Sequence, residues 1–223
     1  MGTKIKLKTA DGHEFDAYLA ESSGPARGAI VLIQEIFGVN SHIRAVADDY
    51  AGHGFQVIAP ALFDRVQPNL ELGYNPTDTA QGMKAARQIS MDAALLDVAA
   101  SINHVGAEWG GLKIGVLGFC YGGSLAWLAA TRLNPAAAVC YYGGQIAANA
   151  KEPPRCPVMM HFGSKDPHIG LEEIAKIKAA HPDLPLFLYD AGHGFNCDQR
   201  KDYDPESARL ARQRTLEFFG QNL

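Results

Sequence analysis

Residues 118–123 read Gly-Phe-Cys-Tyr-Gly-Gly and stand between two segments of different pattern. Before them, residues 112–117 form an apolar run that predicts a buried strand. After them, residues 124–133 predict a helix. A strand, a tight turn with small residues around a central nucleophile, and a helix make up a nucleophile elbow, here with Cys120 where serine is more usual.

The glycines of this turn have a steric reason. The turn forces its central residue into strained backbone geometry, and side chains at Gly118 or Gly122 would collide with the neighbouring strand and helix. The backbone N–H groups that follow Cys120 then point to the place where an oxyanion would form. We therefore predict that Cys120 is a catalytic thiol.

Length and composition favour one α/β domain over residues 1–223, with a hydrophobic fraction of 47%. The net charge of −4 is spread along the chain, so we expect neither a nucleic-acid partner nor a membrane partner. The first residues lack the apolar segment of a secretory signal, and no apolar run reaches membrane-spanning length.

The four cysteines show no Cys-x-x-Cys spacing, which predicts reduced thiols and a cytoplasmic location. They are Cys120, Cys140, Cys156 and Cys197. The sequence points to no cofactor, and we expect the chain to be a monomer or a weak homodimer.

Strand patterns alternate with helix patterns along most of the chain. A hairpin around Asp11-Gly12 leads in. The strands then fall at residues 29–33, 55–59, 112–117, 136–142, 158–162 and 186–189. The helices fall at residues 40–51, 77–105 with a break near Ser90, 124–133, 171–180 and 205–219, and residues 61–75 form a long loop. This alternation predicts a mostly parallel sheet with helices on both faces.

The segment Ala-Gly-His-Gly-Phe occurs twice, at residues 51–55 and 191–195. The first copy lies between a helix and the strand that it precedes, so His53 is predicted on the far side of the sheet. The second copy follows a strand, which places His193 at the carboxyl edge, where ligands bind in open α/β folds. Position in the fold, not local sequence, therefore selects His193 as the functional histidine.

A thiol nucleophile needs a base to take its proton, and that base needs a third group to fix its orientation. Asp166 follows the predicted strand at 158–162, and His193 follows the last strand. The order nucleophile, acid, histidine is that of α/β-hydrolases. Since all three residues lie in loops at one edge of the sheet, we predict that Cys120, Asp166 and His193 converge there.

Glu35 ends a buried strand, where a carboxylate is costly without a partner. It either satisfies the loop backbone or pairs with Arg44, or it points at Cys120 and tunes the thiol; we favour the second interpretation. The same loop is expected to supply one oxyanion donor, the N–H of Ile36, beside that of Tyr121.

Three motifs together resemble those of the dienelactone hydrolase family: Gln-Glu-Ile-Phe-Gly-Val-Asn at residues 34–40, the turn at 118–123 and Ala-Gly-His-Gly-Phe at 191–195. The likeness extends to residues 60–65 and 141–143 and so covers nearly the whole chain. The resemblance implies a compact α/β-hydrolase fold with little or no cap domain. It also implies hydrolysis of lactones such as carboxymethylenebutenolide.

The resemblance carries residue roles with it. It implies a triad of Cys120, Asp166 and His193 and a thioester acyl-enzyme. Glu35 resembles the family glutamate that hydrogen-bonds the resting thiol and yields when substrate binds. Such an arrangement protects the thiol, because a neutral thiol is oxidised less readily than a thiolate.

The sequence departs from the family pattern at the substrate carboxylate. The best-known members clamp it with two arginines, one before the long mid-chain helix and one shortly after the histidine. Neither is evident here. Four basic residues in the wider region are candidate substitutes for these arginines, but we favour the interpretation that each is a solvated charge: Arg65, Lys84, Arg87 and Arg200. Ester or lactone hydrolysis is therefore predicted without dienelactone being predicted as the natural substrate.

Aromatic residues in loops near the site are candidates for the pocket wall, with core packing as the alternative role. They are Phe37, Tyr74, Tyr121, Tyr142 and Phe195.

Other protein classes fit less well. A dinucleotide fingerprint would need glycine at position 120 and an acidic residue at the end of the next strand, which ends in tyrosines. A metal site would need clustered ligands, and the histidines are scattered along the sequence. Two alternatives stay open: a thiol redox protein using Cys120 and Cys197, and a non-catalytic binding protein on a hydrolase scaffold.

Overall fold

A single sheet of eight strands organises the computed structural model, which describes residues 2–223. In chain order the strands are β1 (Thr3–Lys8), β2 (Glu14–Ala20), β3 (Gly28–Ile33), β4 (Phe55–Pro60), β5 (Ile114–Phe119), β6 (Ala137–Tyr141), β7 (Val158–Gly163) and β8 (Leu186–Tyr189). Their order across the sheet is β1-β2-β4-β3-β5-β6-β7-β8. β2 is antiparallel to β1 and to β4, and the other neighbours are parallel. The predicted mostly parallel sheet is confirmed.

Helices flank this sheet. They are α1 (Ser41–Gly52), α2 (Pro76–Gln88), α3 (Met91–Glu108), α4 (Tyr121–Arg132), α5 (Leu171–Ala180) and α6 (Pro205–Asn222), and two short 3-10 turns cover Leu62–Arg65 and Ala147–Asn149. The predicted break near Ser90 has a local cause, because the Ser90 side chain accepts a hydrogen bond from the N–H of Ala93 and caps α3. No helix among residues 2–223 is long and apolar enough to cross a bilayer.

Two predicted boundaries were wrong around the elbow. β5 continues to Phe119 instead of ending at Leu117, and α4 begins at Tyr121 instead of Ser124. Glycine scores poorly as a helix former, so Gly122 and Gly123 hid the first turn of α4 from the sequence pattern. The consequence is a turn of one residue, Cys120, between strand and helix.

The long segment predicted as a loop at residues 61–75 is anchored to the core. It contains the 3-10 turn Leu62–Arg65, and the side chains of Phe63, Leu70 and Leu72 are buried. It therefore packs over the sheet before α2 begins.

The central strands explain why their sequences lack the alternation of half-buried strands. Every residue of β3 and β4 is buried, since helices and loops cover both faces of these strands. The carboxyl ends of the parallel strands meet at one edge, where the loops after β3, β5, β7 and β8 lie. That edge carries the predicted functional residues.

Candidate active site

The elbow holds Cys120 in a conformation that a residue other than glycine rarely adopts. Its backbone has φ +55° and ψ −111°, and its N–H donates to the carbonyl of Tyr141 at 3.0 Å. A Cβ at Gly118 would overlap the carbonyl of Gly122, and one at Gly122 would overlap the carbonyl of Ile33. The glycines thus allow the strand, turn and helix to approach closely enough to support a strained Cys120.

Cys120, His193 and Asp166 lie in one hydrogen-bonded row. The Nε2 atom of His193 is 3.1 Å from the Cys120 sulfur, and its Nδ1 atom is 2.7 Å from Oδ2 of Asp166. The other Asp166 oxygen accepts the N–H groups of His168 at 2.8 Å and Ile169 at 3.2 Å. The loops after β5, β7 and β8 therefore bring the three predicted residues together.

The charges of this row favour a protonated imidazole. Burial by itself would lower the pKa of His193, but the adjacent Cys120 sulfur and the Asp166 carboxylate raise it to about 10. Burial opposes ionisation of Asp166 as well, yet its hydrogen bonds to His193 and to the backbone keep its pKa below the usual value. An imidazolium beside sulfur is the arrangement that stabilises a nucleophilic thiolate.

The two predicted oxyanion donors have free amides. Neither the N–H of Ile36 nor that of Tyr121 hydrogen-bonds to a group within residues 2–223. Tyr121 is the first residue of α4, so the positive end of the helix dipole strengthens the attraction of its N–H for an oxyanion. The Ile36 carbonyl lies directly against Gly82 of α2, where a Cβ would overlap it. Close packing on α2 thereby fixes the Ile36 loop.

Glu35 pairs with Arg200 and not with Arg44. Oε1 of Glu35 accepts a hydrogen bond from Nη1 of Arg200 at 3.1 Å, and the Glu35 side chain is 1% exposed. Arg44 instead binds Glu71 and the carbonyl of Val39. The suggested Arg44 pair is therefore wrong. The favoured contact between Glu35 and Cys120 is not found among the described residues either, because Glu35 is turned to Arg200 and the Cys120 sulfur faces His193.

Arg200 is a functional candidate that the sequence analysis took for a solvated charge. Its side chain is only 16% exposed, and its guanidinium lies 5.7 Å from the ring centre of Phe37 and 6.0 Å from that of Tyr74. Although burial opposes its charge, Glu35 keeps the pKa of Arg200 above the ordinary value. The one signal of this role in the sequence was the position of Arg200 seven residues after His193, because the loop after β8 that carries both residues stays near the site.

Arg65 is also not solvated. Its guanidinium makes hydrogen bonds to the fully buried Asp97 and to Asp11. Because the charge is already paired on both sides, Arg65 is part of the scaffold under the site. Lys84 and Arg87 are exposed, in agreement with the prediction.

The predicted lining residues fall into two groups. Phe37 and Tyr74 pack edge to face and, with Arg200, line a cavity of about 530 Å³. Tyr142 lies against the His193 ring, at 5.1 Å between ring centres, and Phe195 packs behind Tyr142 with no exposed surface. The fifth aromatic, Tyr121, is half-buried and packs against Phe63.

All four cysteines are free thiols. Cys197 is fully buried, and burial together with the charge of Glu35 raises the pKa of its thiol to about 12. The Cys197 sulfur lies within 4.8 Å of a carboxylate oxygen of Glu35 and of a ring nitrogen of His42. His53, in contrast, directly follows α1 and lies beside Asp49 and Arg212, remote from this edge as predicted.

A family model described as the dienelactone hydrolase family matches residues 15–223. The chain belongs to the dienelactone hydrolase family. It is 31% identical over 222 residues to carboxymethylenebutenolidase 1 of Cupriavidus pinatubonensis, covering 96% of this chain and 94% of that protein. The carboxymethylenebutenolidase of Pseudomonas putida is 31% identical over 224 residues, with the same coverage of 96% and 94%.

Solved structures agree with this assignment. A candidate dienelactone hydrolase from Klebsiella pneumoniae superposes with a TM-score of 0.82 at 27% identity, over 99% of both chains. The predicted α/β-hydrolase fold is thus confirmed, and this dienelactone hydrolase family member is a carboxylic ester hydrolase.

Proposed function

We propose that the protein hydrolyses small lactones or esters through a Cys120–His193–Asp166 triad and a thioester intermediate. The observation that carries this proposal is the unbroken row from Asp166 to His193 at 2.7 Å and from His193 to the Cys120 sulfur at 3.1 Å. Asp166 orients the imidazole, and the imidazole holds the proton that leaves the thiol.

In the first half-reaction the Cys120 thiolate attacks the carbonyl carbon and a C–S bond forms. The carbonyl oxygen becomes an oxyanion, which the free N–H groups of Ile36 and Tyr121 stabilise. The C–O bond then breaks, and the leaving oxygen takes the proton from His193. In a lactone this oxygen stays tethered to the acyl group.

In the second half-reaction His193 accepts a proton from water, and the resulting hydroxide attacks the thioester carbonyl. Collapse of the tetrahedral intermediate breaks the C–S bond, releasing the acid and restoring the Cys120–His193 pair. Asp166 keeps its charge throughout and stabilises each imidazolium that forms.

The position of Arg200 supports a substrate that carries a carboxylate. The two relatives above are named for the hydrolysis of a carboxymethylene butenolide. An arginine that is 16% exposed, beside Phe37 and Tyr74 at a cavity of about 530 Å³, suits a small, flat anion. We infer that a substrate carboxylate replaces Glu35 on Arg200.

The test of the triad is p-nitrophenyl acetate hydrolysis by wild type and Cys120→Ala. We expect wild type to hydrolyse the ester and to show one added acetyl group by mass spectrometry after an acid quench, and Cys120→Ala to do neither. Cys156→Ala is the matched control, because Cys156 is a half-buried thiol outside the site. Equal activity in Cys120→Ala and wild type would overturn the proposal.

The test of the substrate class compares a lactone that carries a carboxylate with its methyl ester. Arg200→Gln is expected to raise KM roughly 10-fold or more for the acid and little for the methyl ester, since a charge-assisted pair is lost. Arg87→Gln, an exposed arginine on α2, is the control. An equal effect of Arg200→Gln on both compounds would contradict a carboxylate-binding role.

A further inference from the structure

Glu35 forms a buried cluster with His42 and Cys197, two residues that the proposed hydrolytic reaction does not use. The carboxylate, imidazole and thiol atoms all lie within 4.8 Å of one another. The residues are 1%, 3% and 0% exposed. They come from the loop after β3, the first turn of α1 and the loop after β8, so their separation in sequence concealed the cluster.

Two atoms of this cluster have no hydrogen-bond partner among the residues that the structure describes. They are Oε2 of Glu35 and Nε2 of His42. The Nδ1 atom of His42 lies 3.2 Å from the carboxylate of Asp198, which is the position of a donated N–H. That tautomer leaves a lone pair on Nε2. A carboxylate and an imidazole lone pair cannot donate to each other, and the neutral Cys197 thiol has only one proton to offer, so a metal ion is a group that would satisfy both atoms.

We propose that Glu35, His42 and Cys197 bind a divalent transition-metal ion that favours sulfur and nitrogen ligands, of which Zn²⁺ is the best fit. Thiolate, imidazole and carboxylate are the three ligand types of zinc sites, whereas Mg²⁺ and Ca²⁺ select oxygen. Thiolate and carboxylate together balance the 2+ charge. Asp198 would orient His42, as carboxylates do behind metal-bound histidines.

The geometry requires a modest contraction. Zinc bonds of about 2.0–2.3 Å put tetrahedral ligand atoms roughly 3.3–3.8 Å apart, so atoms that lie within 4.8 Å of one another have to close by at most about 1.5 Å. Adjustment of the side-chain torsion angles would have to supply this movement. The Cys197 thiol gives up its proton to the solvent when the metal binds.

Metal binding would use Oε2 of Glu35, while Oε1 stays on Arg200. An ion at this position would hold Glu35 against Arg200 and keep the substrate carboxylate from replacing it, so Zn²⁺ is expected to inhibit hydrolysis. This consequence rests on the proposed function, in which Arg200 binds the substrate carboxylate. Arg200→Gln removes a positive charge that opposes that of the ion and is expected to tighten metal binding.

Binding is tested apart from catalysis, in Cys120→Ala, which lacks the other reactive thiol. Titration with Co²⁺ is expected to give one ion per chain with the near-ultraviolet absorption of a cobalt–thiolate bond, and Zn²⁺ is expected to displace it. The absorption is expected to vanish in Cys120→Ala combined with Cys197→Ser. Asp198→Asn is expected to weaken binding roughly 10- to 100-fold.

His42→Gln offers a second ligand variant, and circular dichroism verifies that each variant is folded. Absence of cobalt–thiolate absorption in folded Cys120→Ala would overturn the proposal. So would absorption that survives in Cys197→Ser but is lost in Cys120→Ala, because the ion would then sit on the catalytic thiol. Zinc inhibition of the wild type is measured separately, so failure of the triad leaves the binding result intact.

Discussion

The guanidinium of Arg200 donates a hydrogen bond to the carboxylate of Glu35 at 3.1 Å, although the two residues are 165 positions apart. Burial lowers the pKa of Arg200, but Glu35, Tyr142 and, to a smaller extent, Cys120 raise it above the ordinary value. The positive charge of Arg200 therefore acts on the Glu35 carboxylate, which it contacts, and also on the Cys120 sulfur, which it does not contact. A change in the charge of Glu35 or of Arg200 should therefore alter the reactivity of the Cys120 thiol.

Glu35→Gln tests this relationship. Removing the Glu35 charge leaves the Arg200 guanidinium unbalanced, and its field then favours the Cys120 thiolate. We expect the pH profile for alkylation of Cys120 by iodoacetamide to shift to lower pH. Glu71→Gln, which removes a surface partner of Arg44, is the control. A profile identical to that of wild type would exclude a tuning role for Glu35.

The protonation of His193 should make stability depend on pH. Its pKa of about 10 in the folded protein lies above the value of about 6.5 for an unperturbed histidine. The proton therefore binds the folded state more tightly. The stabilisation is complete below about pH 6.5 and is lost as the pH rises through about 10.

Urea unfolding of wild type and His193→Gln between about pH 6 and pH 10 measures this contribution. The difference in free energy of unfolding should be largest at the acid end and shrink toward the alkaline end. His104→Gln, on α3 outside the site, should show no such trend. A difference that grows with pH would mean that His193 is neutral in the folded state.

The elements that the sequence predicted well are those with strong local patterns. The elbow, the loop order of Asp166 and His193, and the hairpin at Asp11-Gly12 each depend on a few adjacent residues and on strand order. Arg200 and the cluster around Glu35 could not be predicted in this way. Their partners come from loops after different strands, and sequence alone does not tell which way a loop side chain turns.

The partner of Arg65 could not be predicted from the sequence either, and its identity leads to a prediction about stability. Asp97 is fully buried against Arg65, and burial raises the pKa of Asp97 to about 6 even though Arg65 opposes the rise. Asp97→Ala leaves a nearly buried guanidinium with only Asp11 as partner. We expect a loss of about 3 kcal/mol in the free energy of unfolding.

The matched control for Asp97 is Asp92→Ala. Asp92 also pairs with an arginine, Arg132, but its side chain is 86% exposed, so we expect a loss within about 1 kcal/mol. Urea denaturation of both variants gives the comparison. Similar losses in the free energy of unfolding would show that burial of the Asp97–Arg65 pair does not increase its contribution to stability.

Gly122→Ala should damage both stability and activity, for one steric reason. An added Cβ would overlap the carbonyl of Ile33, which belongs to a fully buried strand that cannot move away. We expect a loss of about 3 kcal/mol or more in the free energy of unfolding. Ile36 follows Ile33 by only three residues. A backbone shift that relieves the overlap at Ile33 should therefore also move the N–H of Ile36, the proposed oxyanion donor.

Gly52→Ala is the control for Gly122, since a Cβ there meets nothing within 4 Å. Gly52 is the last residue of α1, and alanine is expected to leave stability unchanged or to raise it by up to about 1 kcal/mol. Ester hydrolysis should be compared below the melting temperature of both variants. If folded Gly122→Ala kept the kcat of wild type, the close packing of helix and strand would not be what positions the amides around Cys120.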